Sequence, residues 1–150
     1  MPENRTYTYE AMFLLGQAAA ADLTGSLAHI HEIFRRNQCE VLAMKKWDER
    51  RLAYEIKKQK RGLYILAYFR APAGNMAHFE RDCNLSEKLL RTMVLRADHL
   101  SLDEIKAADG RDALETEAKM RASQIREKPA DQAEPVAAST ESAAQPDDQA

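Results

Sequence analysis

From residue 6 to residue 15, TYTYEAMFLL, the residues Tyr7, Tyr9, Ala11, Phe13 and Leu15 alternate with Thr8 and Glu10, and the intervening side then turns apolar at Met12 and Leu14. Alternation with period 2 marks a strand, and the fading contrast describes one that enters exposed and ends buried on both faces. Gly16 breaks it. Between Asp22 and Asn37 the period changes. Leu23, Leu27, Ile30 and Phe34 recur at helical spacing, Asp22 stands as an N-cap, and Arg35 and Arg36 fall at the C-terminal end, where cations suit the helix dipole. The result is an amphipathic helix that lays one stripe on a sheet. Residues 39–47, CEVLAMKKW, form a second strand, with a bulge expected near Lys45 to Asp48 that resets the facing of Trp47 before the chain continues through residues 51–57. A polar turn from Lys57 to Gly62 leads into a return strand over residues 62–70, apolar on both faces and ended by Pro72 and Gly74. Met76, Phe79 and Cys83 then sit at helical spacing, and LLRTMVLR, residues 89–96, has the length and branched apolar content of a strand.

The order β-α-β-β-α-β is the split βαβ, or ferredoxin-like, arrangement of the α+β class: a four-stranded antiparallel sheet with both helices on one face. Past Asp98 the character changes. Ser101-Leu102-Asp103-Glu104 has the form of a capping box, while Leu102, Ile105, Leu114, Met120 and Ile125 are too sparse for a continuous buried stripe. A charged, solvated helix with a weak point at Gly110 is expected there. From Pro129 on, Ala, Gln, Asp, Glu, Ser and Pro dominate, the composition of a disordered end. Three regions follow: a domain over residues 1–100, a charged and partly helical extension over 101–128, and an acidic tail over 129–150.

Charge sharpens this division. The net charge of −2 conceals 16 Lys and Arg against 12 Asp and Glu in residues 1–100, and 6 against 12 thereafter. A basic body carries an acidic tail, which could screen the body in cis. The cations concentrate in KKWDERRLAYEIKKQKRGLYIL, residues 45–66, where eight Lys and Arg face three acids on an apolar spine. Such a hairpin has the electrostatic footprint of a polyanion binder. Lysine and arginine on strands also guard against edge pairing, and charge alone does not separate the two.

Enzyme chemistry finds little support. The loop after the first strand, Gly16 to Asp22, offers four alanines and no phosphate cradle. No nucleophile sits in a recognisable elbow, and His29 and His31, two apart on a helix, point about 200° apart and cannot share a metal. Cys39 and Cys83 are too far apart in sequence for a ligand or redox motif, so no cofactor and no metal are expected. With no apolar run near the roughly 18 residues that span a bilayer, no membrane role is expected and a cytoplasmic protein follows. The ferredoxin-like fold also hosts the RNA-recognition motif, and Arg61-Gly62-Leu63-Tyr64-Ile65-Leu66-Ala67-Tyr68 sits where that motif's third-strand signature falls. Its two base-stacking positions correspond to Leu63 and Ile65, which have no aromatic ring. Stacking on the sheet is therefore disfavoured, and phosphate contact with folded RNA is favoured.

Several stretches together resemble the bacterial small-subunit (30S) ribosomal protein S-six family. They are Tyr9-Glu10, Lys46-Trp47 followed by Arg50-Arg51-Leu52-Ala53-Tyr54-x-Ile56-x-Lys58, the strand from Tyr64 to Ala71-Pro72, and Leu90-Arg91-Thr92-Met93-Val94-Leu95-Arg96. The resemblance covers about residues 7–98 and implies a ferredoxin-like structural protein of the ribosome, non-enzymatic and without a small-molecule substrate. It further implies binding to the central domain of the small-subunit (16S) ribosomal RNA together with the small-subunit ribosomal protein eighteen. On that basis Lys45, Lys46, Arg50, Arg51, Arg91 and Arg96 are the expected rRNA contacts, and the apolar trio Leu52, Ala53 and Tyr54 the expected contact with the partner protein. Period 2 also allows Leu52 and Tyr54 simply to pack in the sheet. Where the family carries Gly and a basic residue after the Trp, this chain has Asp48 and Glu49, and Glu55 replaces a Pro. The first exchange removes cationic charge at the bulge. The alternative is a non-ribosomal ferredoxin-like interaction or regulatory domain whose basic hairpin is a solvated edge.

Overall fold

The computed structural model describes residues 5–124. Strand β1 (Thr6–Leu15) is followed by a one-turn helix α1 (Gln17–Ala21), helix α2 (Leu23–Arg36), strands β2 (Glu40–Ile56) and β3 (Gln59–Pro72), helix α3 (Met76–Leu85) and strand β4 (Leu89–Arg96). The strands pair in the order β2-β3-β1-β4, every neighbour antiparallel. This is the ferredoxin-like sheet expected from the element order.

Alternation dictates which side of the sheet each residue faces. Tyr9, Ala11, Phe13 and Leu15 of β1 and Leu63, Ile65, Ala67 and Phe69 of β3 are buried on the side where the helices pack. Against them α2 lays Leu23, Leu27, Ile30, Ile33 and Phe34, and α3 lays Phe79 and Cys83. Phe13, Phe34, Phe69 and Phe79, one from each of four elements, meet with ring centroids 5.0–6.4 Å apart. Four large rings at one point give the core a fixed centre, since aromatic pairs add to simple area burial. Asp22 caps α2 as expected, its Oδ1 accepting from the Gly25 N–H at 3.3 Å.

Three features depart from expectation. The expected loop from Gly16 to Asp22 contains α1, whose Ala20 is buried. The hairpin turn is shorter than the expected Lys57 to Gly62. It is the pair Lys57-Lys58, with φ of 49° and 68°, so Lys60 and Arg61 belong to β3. Two consecutive left-handed residues make the tight turn whose twist matches a hairpin, a conformation that Asn-Gly adopts with less strain than two lysines.

The third departure is the extension. Helix α4 (Leu102–Ala107) opens on a complete capping box between Ser101 and Glu104. The chain breaks at 108–110, and a further helix, α5, begins at residue 111 and runs through residue 124. It is not a solvated appendage. Ile105, Leu114 and Ala118 are 2%, 3% and 5% exposed, and the last two join the central core. Glu117 bonds Lys46 at 3.0 Å, while Arg121 bonds Glu49 at 2.8 Å and the Ala20 carbonyl at 3.1 Å. The loop before α5 also satisfies the outer edge of β2: the Met44 N–H donates to Asp109 and the Gly110 N–H donates to the Met44 carbonyl. The apolar residues are sparse because polar and backbone bonds to β2 supply the rest of the attachment. The acidic end expected from residue 129 lies outside the described residues.

Candidate nucleic-acid and protein interface

Strand β1 pairs with β3 only as far as Leu63, so the hairpin from Arg50 to Gly62 extends beyond the sheet as an arm. The side of the sheet away from the helices is open. Glu10, Met12 and Leu14 of β1 share it with Tyr64, Leu66 and Tyr68 of β3. The arm bends over this open side, because the Tyr54 hydroxyl accepts from the Arg91 guanidinium on β4 at 2.8 Å, across two intervening strands. The Arg91 guanidinium also sits 5.4 Å from the Tyr54 ring centroid. Beneath the arm lies a groove of about 410 Å³ lined by Met12, Leu14, Leu52, Tyr54, Tyr64 and Met93. Ala53 lies in the same lining, so Leu52, Ala53 and Tyr54 share one apolar depression and Tyr54 stays 59% exposed.

The expected bulge is present. Lys46 lies opposite Ile65 and Asp48 opposite Tyr64, leaving Trp47 as the extra residue. It lies on the open side, edge-to-face with Tyr64 at 5.4 Å. Asp48 bonds the Nε of Arg50 at 2.8 Å, and the guanidinium stands 5.2 Å from the centre of the Trp47 ring. The Arg50 hydrogen bond, with the Glu49 N–H, holds the Asp48 carboxyl below its ordinary range. Glu49 falls on the helix side, and its carboxyl is held low chiefly by its hydrogen bond from Arg121. Two residues that depart from the family pattern are thus both used within the chain.

The six cations expected to contact RNA do not form one patch. Lys45 and Arg50 face the open side, opposite Leu66 and Gly62. Arg91 faces it too, opposite Leu14, but is engaged with Tyr54. Lys46 points to the helix side and is held by Glu117 and by Glu49 at 3.7 Å. Arg96 stands opposite Tyr9, packs 3.6 Å over the Tyr7 ring and donates to Asp98 at 2.6 Å. Arg51 is exposed opposite Arg61. Among the described residues no carboxylate pairs with Arg51, nor with Lys57, Lys58, Lys60 or Arg61 at the end of the arm. These last four were absent from the expected contacts, although their charge is plain in the sequence. The pairing of Lys46 depends in part on Glu117 of α5 and could not be read from composition, whereas Arg50 and Arg96 are engaged by Asp48 and Asp98 two residues away.

The stacking expectation also changes. Leu63 and Ile65 are fully buried beneath the helices, so the positions matched to the RNA-recognition signature do not reach the open side at all. Tyr64, Leu66 and Tyr68 do, one residue out of phase. Among the described residues no group of three His, Cys, Asp or Glu could hold a metal, and no helix is long and apolar enough to cross a membrane.

A ferredoxin-like sheet with one face covered by helices and the other carrying a cationic arm over an apolar groove presents surfaces suited to binding macromolecules. The family model described as Ribosomal protein S6 matches residues 8–96, and the chain belongs to that family. Among its relatives, the small ribosomal subunit protein bS6 of Campylobacter lari is 29% identical over 92 residues, 61% of this chain and 74% of the relative. That of Helicobacter hepaticus is 34% identical over 89 residues, 59% of this chain and 65% of the relative. The crystal structure of 30S ribosomal protein S6 from Thermotoga maritima, 24% identical, superposes with a TM-score of 0.58 over 69% of this chain and 98% of that one, and shows the same fold. The protein is a structural, non-enzymatic constituent of the small subunit of the cytoplasmic ribosome. Helices α4 and α5 lie beyond the matched span.

Proposed function

We propose that the chain binds the central domain of the small-subunit (16S) ribosomal RNA jointly with the small-subunit ribosomal protein eighteen, through residues 1–100, with the extension 101–128 and tail 129–150 as accessories. The observation that carries this reading is the arm. It carries cations that have no carboxylate partner among the described residues, Arg51, Lys57, Lys58, Lys60 and Arg61, and it covers an apolar groove lined by Leu52, Ala53 and Tyr54. The cations suit phosphates, with Lys45 and Arg50 beside them, and the groove suits an apolar segment of the partner protein. Lys46, Arg91 and Arg96 would have to exchange an existing partner for a phosphate, so they rank below the arm.

The test is binding of the full chain to a central-domain RNA fragment at several salt concentrations, with and without the partner protein. Each neutralised phosphate releases counterion, so about six contacts weaken binding by roughly 10³-fold between 50 and 200 mM salt. Added partner protein is expected to tighten the complex, and Tyr54→Ala to abolish that gain while leaving RNA binding alone intact. Salt-independent binding, or a Tyr54→Ala chain that keeps the full gain, overturns the proposal.

A further inference from the structure

Trp47 is the chain's single tryptophan and is 47% exposed. A large ring is ordinarily buried, and a bulge is a device that re-aims a side chain. Here the bulge turns the indole to the open side, where three groups fix it. Tyr64 abuts it edge-to-face at 5.4 Å, Arg50 stands 5.2 Å from its centre, and Asp48 anchors Arg50 through Nε at 2.8 Å. Because Asp48 uses only Nε, both Nη groups of Arg50 lack an acceptor among the described residues. Lys45, two residues earlier on the same strand, faces the same side and has no carboxylate partner among them. A half-exposed indole in a fixed position, bordered by a guanidinium fork and an ammonium, presents a flat π surface together with donors for a nearby anion.

We infer that Trp47 stacks an unpaired base of a single-stranded RNA segment, with Arg50 and Lys45 on its flanking phosphates. The inference rests on the RNA-binding reading above and deepens it by naming the chemical form of RNA and the residue that receives it. Base-on-aromatic stacking tolerates any sequence, since each base has a π face. The absence of rings at positions 63 and 65 is no obstacle, because those positions are in the core and Trp47 supplies the open side from the neighbouring strand. The two ends of this face differ. The groove under Tyr54 is lined mainly by apolar side chains and suits protein, whereas Trp47 is flanked by the Nη groups of Arg50 and by Lys45, which suit phosphates.

The experiment uses the full chain, labelled single-stranded hexauridylate and hexaadenylate, and an abasic phosphodiester of the same length. Anisotropy reports binding and tryptophan emission reports Trp47 alone. The central-domain RNA fragment is titrated in parallel. Stacking is expected to quench emission and to make the base-bearing strands bind roughly tenfold tighter than the abasic one. Trp47→Leu is expected to remove that advantage without changing abasic binding, and Trp47→Phe to retain part of it, with circular dichroism confirming that both fold. Equal binding of base-bearing and abasic strands without quenching overturns the stacking while leaving phosphate binding intact. Fragment binding with unchanged emission has the same meaning, whereas failure of the fragment and the oligonucleotides together overturns both readings. If the partner protein alone shifts the emission and blocks the oligonucleotides, the Trp47 end belongs to the protein interface and the inference falls.

Discussion

Replacing Leu114 with Ala distinguishes an integral α5 from a solvated one. Leu114 is 3% exposed and belongs to the central cluster, whereas Leu102, in the same extension, is 49% exposed. Truncating a buried leucine forfeits its transfer free energy and leaves a cavity, together about 2 to 5 kcal/mol, the lower end applying where the site can collapse. Only Leu114 and Ala118 of α5 join that cluster, so the helix can shift to fill the space. A loss of about 2 to 3 kcal/mol is therefore expected for Leu114→Ala, against under about 0.5 kcal/mol for Leu102→Ala. Urea unfolding of the full chain, followed by far-ultraviolet circular dichroism and by Trp47 emission, measures both. If α5 undocks by itself, an early dichroism transition precedes the main one. If Leu114→Ala and Leu102→Ala instead unfold alike and within about 0.5 kcal/mol of the unaltered chain, α5 contributes no packing and is a solvated helix after all. A clear loss also bears on function, because the helix that Leu114 holds is the one that neutralises Lys46.

The tight turn makes two opposed predictions from one change. Substituting Lys57→Asn with Lys58→Gly relieves two left-handed lysines and should stabilise the fold by about 1 kcal/mol in urea titration, while lowering the salt slope of RNA binding by about two contacts. Burial pushes the Cys39 and Cys83 thiols up to about 12, so neither should be alkylated by iodoacetamide in the native protein at pH 8, and both should react once it is unfolded. For Asp109, burial alone would raise the carboxyl, but the bonds from Arg111 and the Met44 N–H prevail and hold it low. A carboxyl depressed in the fold contributes stability above its unfolded pKa and loses it as pH falls through the folded value. With Glu49 depressed in the same way, the α5 attachment should hold at neutral pH and loosen below about pH 4, seen as faster amide exchange at 109–121 before the sheet exchanges.

Strand β1, helix α2, the bulge at Trp47 and the capping box at Ser101 were legible because each carries its own local contrast: alternation, helical spacing, a change of phase, a paired Ser and Glu. The facing of β3 was not. Both its sides are apolar from Leu63 to Phe69, so period 2 offers no contrast, and the signature match placed Leu63 and Ile65 on the wrong side. The turn was hidden because two lysines occupy positions that Asn and Gly usually announce, and Gly62 drew attention instead. The helical extension with its break near Gly110 was legible, but the docking of α5 was not, because its attachment uses one leucine, one alanine and ion pairs to Lys46 and Glu49, 71 and 72 residues away. For the interface, the charge of the hairpin was visible, but the engagement of Lys46 by Glu117 and of Arg91 by Tyr54 depended on partners distant in sequence.

The long reach of α5 also sets an order in time. The sheet is complete once β4 pairs with β1, and that needs nothing beyond residue 96. The bonds that tie α5 down close loops of 94 residues, from Thr24 to Ala118, and of 101 residues, from Ala20 to Arg121. A chain made from its N-terminus can therefore form the whole sheet before Asp109, Glu117 and Arg121 arrive. In that interval the Met44 edge of β2 is uncapped and Lys46 has only Glu49 as a partner. The last helix to dock then closes a strand edge open to other chains and withdraws one cation from the surface, after the arm and the Trp47 face have taken shape.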